Sequence, residues 1–121
     1  MKPQGPLTIS DVAKRFNWEI CHRSGGNTLA CEVMGHRGTY SIDMEVGRGG
    51  NTDVSATCRI LNAETNSQIL QGVTSGMRGA ILGIAKAISV CDENGIPSSI
   101  MDLDDYVVLA MAEGLSNQLA V

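Results

Sequence analysis

Seven residues near the middle of this chain set the first constraint on its fold. From Tyr40 to Val46, apolar Tyr40, Ile42, Met44 and Val46 alternate with polar Ser41, Asp43 and Glu45. A period of two marks a strand with one face in a core and one face in water. Such a strand needs neighbours on both edges and an apolar layer over its inner face. The chain has 121 residues, 43% hydrophobic and 18% charged. That is one domain's worth of sequence, long enough to bury its own core and too apolar for disorder. Aromatic residues are scarce (Phe16, Trp18, Tyr40 and Tyr106), so the core must be built from aliphatic side chains, Met and Cys.

The rest of the chain supplies the neighbours. Residues 1–7 carry Pro3, Gly5 and Pro6 and read as an extended lead-in. Thr8 with Asp11 three positions on is the pattern of a capping box, and it predicts a helix over Ile9 to Phe16. Two strand-like runs, from Trp18 to Arg23 and from Leu29 to Met34, flank Ser24-Gly-Gly-Asn, a hairpin turn. After the alternating strand come Gly47-Arg-Gly-Gly-Asn-Thr, a strand from Val54 to Leu61, a polar turn and a last short strand from Gln68 to Val73. Gly-Gly-Asn-Thr occurs at 25–28 and again at 49–52, which fits either a duplicated hairpin or two independent uses of a good turn.

The C-terminal third reads as helix. Thr74 or Ser75 is placed to cap a helix from about Gly76 to Glu93, ended by Asn94-Gly95 with Pro97 beyond. Gly79, Gly83 and Ala87 form a small-residue stripe along it. Each interior Gly costs about 0.8–1 kcal/mol relative to Ala, so close backbone approach should offset it, to the sheet or to a twin helix in a homo-oligomer. Residues 98–103 fit either a short strand or a helix start capped by Ser99. From Asp104 to Leu119 a final helix is predicted, burying Tyr106, Val107, Ala110, Met111 and Leu115. The expected fold is α+β: a short first helix, an antiparallel sheet of four or five strands, and two C-terminal helices on one face.

Charge and cysteine usage restrict the function classes. The net charge is −4, and all nine Lys and Arg lie at or before Lys86, with six acids and no base beyond it. That balance disfavours a duplex-DNA binder. No apolar run approaches the length of a membrane span, and the start lacks the apolar stretch of a signal peptide. The expectation is a cytoplasmic protein with reduced thiols at Cys21, Cys31, Cys58 and Cys91.

Four turns join an Arg to flexible glycine backbone: Arg23, Arg37, Arg48 and Arg78, the last just after Gly76 at a predicted helix start. Guanidinium beside exposed amides suits phosphate or carboxylate. No Walker A loop is present. Cys21, His22, Cys31 and His36 have neither the spacing nor the common face that zinc needs. No Gly-x-Ser-x-Gly elbow accompanies the two histidines.

The carboxylates Asp43, Asp102 and Asp104 suggest one alternative. Tyr40-Ser-Ile-Asp43, then Ile69-Leu-Gln-Gly-Val-Thr before the small-residue helix, then Ser99-Ile-Met-Asp-Leu-Asp104, together resemble the ribonuclease H-like fold over residues 40–113. In that family a first strand carries an Asp, and a later strand ends at an Asp that opens a helix. The resemblance implies a nuclease using Mg²⁺ at Asp43, Asp102 and Asp104, or a non-catalytic relative that binds nucleic acid. The family's Glu near the start of the first helix has no counterpart in Gly76-Met-Arg-Gly-Ala. The principal expectation is therefore a non-enzymatic binding or regulatory module with no cofactor. It would be homo-oligomeric through Gly79, Gly83 and Ala87. It would engage a protein partner or a phosphorylated ligand through Arg23, Arg37, Arg48, Arg78 and Gly76.

Overall fold

A computed structural model describes residues 7–23, 28–47, 52–61 and 66–118. In chain order the elements are α1 (Ile9–Phe16), β1 (Glu19–Arg23), β2 (Thr28–Met34), β3 (Thr39–Val46), β4 (Asp53–Leu61), β5 (Asn66–Ser75), α2 (Met77–Asn94), β6 (Met101–Asp102), α3 (Leu103–Ala112) and α4 (Leu115–Gln118). The fold is α+β. Among the described residues its sheet has six strands, in the order β1-β2-β3-β4-β5-β6. Neighbours pair antiparallel from β1 to β5, and β6 joins parallel to β5.

Local chemistry accounts for the ends of α1. The Thr8 hydroxyl accepts from the Asp11 amide at 3.2 Å, and the Asp11 carboxylate accepts from the Thr8 amide at 2.9 Å. Two amides without helical partners are thereby satisfied. Asn17, at φ 64°, ends the helix in the left-handed region that Asn tolerates better than most residues. The Trp18 ring then stacks on Phe16 with centroids 4.7 Å apart.

The alternation on β3 and β4 builds the core. Tyr40, Ile42 and Met44 of β3, with Val54, Ala56, Cys58 and Ile60 of β4, are buried on one face. On β5 the register shifts after Cys58, so Ile69 is an extra residue and both Ile69 and Leu70 point into the core. α2 covers this face with a run of buried residues from Ala80 to Cys91. Among the described residues, no helix lies on the other face of the sheet.

Several elements depart from the sequence reading. β6 makes a sixth strand, only two residues long, from within the ambiguous stretch 98–103. It exists through pairing with Leu70 and Gln71, a tertiary effect that no local pattern announces. Gly76 rather than Thr74 or Ser75 is the N-cap of α2, with no side-chain cap bond. Thr74 stays in β5 and donates to Asp104 instead. The last helix is broken: α3 ends at Ala112, and Gly114, at φ 74°, starts a new turn into α4. Met111 is exposed rather than buried, because α3 from Tyr106 onward is apolar on all sides and no single face is marked as inner. In the first hairpin the register shifts between Ile20 and His22, and Cys31 stands opposite Arg23. The Gly-Gly-Asn-Thr repeat falls almost wholly outside the described residues.

The small-residue stripe does allow close approach, but to α3 of the same chain. A Cβ on Gly83 would lie 2.8 Å from Val107 Cγ2 and 3.1 Å from the Leu103 carbonyl oxygen, and one on Gly79 would lie 3.6 Å from Val107. Gly83 is buried against α3 and Ala87 is buried within the chain, so neither presents surface to a twin helix. Among the described residues, no helix is long and apolar enough to cross a membrane.

Candidate functional site

The uncovered face of the sheet is where polar side chains gather. On β4 the pattern alternates without a break, with Ser55, Thr57 and Arg59 exposed between buried Val54, Ala56, Cys58 and Ile60. The pairing register sets Asp43, Thr57, Gln71 and Asp102 in one row across four strands. Glu45, Ser55 and Val73 form the next row. These two rows line a trough of about 550 Å³. Hydroxyls and an amide make its floor, three carboxylates its rim, and Val73 an apolar spot, 55% exposed.

Asp43 and Asp102, singled out by the ribonuclease H-like resemblance, line this trough without converging on one point. Two strands lie between them, which at about 4.8 Å per strand separates them by roughly 14 Å. A two-metal centre holds its ions about 3.5–4 Å apart between converging carboxylates. Asp102 is the N-cap of α3, accepting from the amides of Asp104 at 3.1 Å and Asp105 at 3.3 Å. Asp104 accepts from the Thr74 hydroxyl at 2.9 Å. Among the described residues, no group of three or more His, Cys, Asp or Glu converges as a metal site.

The arginine turns are likewise put to other uses where they can be seen. Arg37 donates from Nε to the Cys91 carbonyl at 2.9 Å, placing a cation at the C-terminus of α2, whose last turn has no base of its own. Arg78 donates to the Ser116 hydroxyl at 3.2 Å and ties α2 to α4. Gly76 has no atom within 4 Å of where a Cβ would sit. Arg48 lies outside the described residues, as does the side chain of Arg23. The described turns do not bring Arg37 and Arg78 together, since one meets the end of α2 and the other its start.

A cluster absent from the sequence reading is centred on Asp92. Its carboxylate accepts from the amides of His36 at 2.9 Å and Arg37 at 3.1 Å, and from the Tyr40 hydroxyl at 2.7 Å. An acid in the last turn of a helix opposes the macrodipole. That misplacement, beside a buried strand Tyr in need of a partner, is the signal that could have found it. Burial, then the hydrogen bond and charge of Asp92, push the Tyr40 hydroxyl well above its ordinary pKa. Burial also raises the Cys58 thiol strongly, and it lifts Cys91 to about 11 with help from Asp92. These are inert thiols and a neutral phenol, the chemistry of a fold's interior rather than of a nucleophile. No family model, curated protein or solved structure matches this chain.

Proposed function

We propose that this protein is a non-enzymatic binding module that recognises a protein partner through the uncovered face of its sheet. The observation that carries this reading is the trough of about 550 Å³ lined by Asp43, Glu45, Ser55, Thr57, Gln71 and Asp102. Closely spaced hydroxyl, amide and carboxylate groups on a rigid sheet can satisfy the backbone and basic side chains of an extended polypeptide. The same carboxylates repel phosphate, which disfavours a phosphorylated ligand or nucleic acid at this face. Engagement of Arg37 and Arg78 within the chain weighs against the turns as a phosphate site.

The test is affinity capture from the native source with wild-type protein and with Thr57→Arg, which fills the trough and leaves the core untouched. A protein retained by the wild type and lost from Thr57→Arg supports the reading. Identical capture by both removes it. Mg²⁺-dependent cleavage of an RNA–DNA hybrid that disappears in Asp43→Asn would replace it with the nuclease reading.

A further inference from the structure

A second unpartnered surface lies on the helix layer, and it differs in kind from the trough. From Tyr106 to Ala112 every residue of α3 is uncharged and mostly apolar, around the whole circumference of the helix. A helix of that composition is normally covered all round. Here the inner side is covered by α2, with Ala110 buried and Val107 against Gly79 and Gly83. The outer side is bare: Val108 is 62% exposed, Met111 57% and Leu109 40%. Val108 lies three residues from Met111 and four from Ala112, so these three make one stripe.

The surroundings of the stripe are acidic. Asp104 and Asp105 stand exposed at its N-terminal end, and Glu113, exposed at its C-terminal end, is offset by its ion pair with Lys86. No base follows Lys86 in the sequence. The two bases that α2 offers nearby are engaged, Lys86 with Glu113 at 2.7 Å and Arg78 with Ser116.

We propose that the outer stripe of α3 docks an amphipathic helix of a partner protein, apolar along one side and flanked by Lys and Arg. Apolar area supplies the association, and opposite charge sets orientation and discriminates among partners. Met111, unbranched and polarizable, adapts to more than one shape of apolar side chain. A second copy of this chain is a poor occupant. Parallel two-fold pairing of the stripe on itself would set Asp104 and Asp105 against the same acids, and like charges in contact repel. Antiparallel pairing would leave these two acids facing Glu113, whose charge Lys86 already offsets, with no base left over to meet them.

The test uses the full chain and a fluorescent Leu/Lys amphipathic peptide of about 18 residues, long enough to form a helix on docking, beside its Leu/Glu counterpart. The Leu/Lys peptide binds the wild type and the Leu/Glu peptide does not. Val108→Ser with Met111→Ser weakens binding by at least about tenfold. Both sites are exposed, so the variant keeps the wild-type melting curve. Asp43→Asn with Glu45→Gln, on the opposite face, changes binding by less than about twofold. Failure of the Leu/Lys peptide to bind overturns the proposal. So does equal binding of both peptides, or a loss confined to the Asp43 and Glu45 variant. A wild-type dimer in sedimentation that Val108→Ser with Met111→Ser converts to monomer overturns it in favour of a second copy. Since the trough variant Thr57→Arg leaves the stripe intact, failure here is distinguishable from failure of the trough reading.

Discussion

The Tyr40 hydroxyl donates to Asp92 Oδ1 at 2.7 Å, joining the inner face of the sheet to the end of the longest helix across 52 positions of sequence. The same carboxylate holds the β2–β3 turn through the amides of His36 and Arg37. Three donors converge on one side chain, and removing it takes the acceptor from the part-buried Tyr40 hydroxyl and the two ties from the exposed turn. Asp92→Ala should lower the free energy of unfolding by about 1–3 kcal/mol, and Tyr40→Phe by about 1 kcal/mol. Urea denaturation of both, and of the double variant, measures the coupling. Strict additivity would mean that the bond contributes nothing beyond its parts.

Alkaline pH should destabilise the fold from about pH 9 upward. Burial raises Cys91 from 9.0 to about 11, and Cys58 and Tyr40 are raised further above their ordinary values. For a raised pKa the protonated group is favoured in the native state. The contribution is whole below the unfolded value and is lost as pH climbs towards the folded one, because the unfolded chain then binds fewer protons. Each such group contributes a slope of up to roughly 1.4 kcal/mol per pH unit within its window. Melting temperatures between pH 8 and about 11 should fall for the wild type and fall less for Cys91→Ala. Equal slopes would assign the loss to other groups.

Gly83→Ala should loosen the contact between α2 and α3. The new Cβ would come within 2.9 Å of Leu103 Cδ1 and 3.1 Å of the Leu103 carbonyl oxygen, and the backbone atom cannot swing aside. Overpacking of this kind costs about 1–3 kcal/mol, more than the gain in helix propensity returns. Gly79→Ala, with its nearest neighbour at 3.6 Å, should be neutral or stabilising. A reversed order in thermal unfolding would show that α3 is free to shift.

Asp102 and Asp43 should behave oppositely although they share a row of the sheet. Asp102 caps α3, so Asp102→Ala should cost about 0.5–2 kcal/mol. Asp43 is exposed on the open face, and Asp43→Asn should change stability by no more than about 0.5 kcal/mol. A Mg²⁺-dependent rise in melting temperature that vanishes in Asp43→Asn would show a metal held there.

What could be read from the sequence was what short stretches decide for themselves. Thr8 and Asp11 lie three residues apart, and α1 runs over the expected Ile9–Phe16. The alternation from Tyr40 to Val46 carried the inner and outer faces of β3. Where distant contacts decide, the sequence was silent or ambiguous. The extra residue at Ile69 hides the period of β5, whose ten residues were read as a shorter strand. The glycines of α2 announced a close neighbour, but only packing reveals that the neighbour is α3. The trough was half visible: Asp43 was marked by its strand, while Thr57 and Gln71 gain meaning only from the register that sets them beside it.

The order of the sheet bears on how the chain reaches its native state. From β1 to β5, each strand lies next to its predecessor and successor in the sequence. Each hairpin can therefore zip from its own turn, and closing a short loop takes little chain entropy. The exception is β6, which can dock on Leu70 and Gln71 only after the intervening segment has folded back over the sheet. The meander can thus assemble strand by strand as it is synthesised, while its apolar face waits for α2 and α3. During that interval the half-built protein is exposed to aggregation, and completion of the C-terminal third ends it.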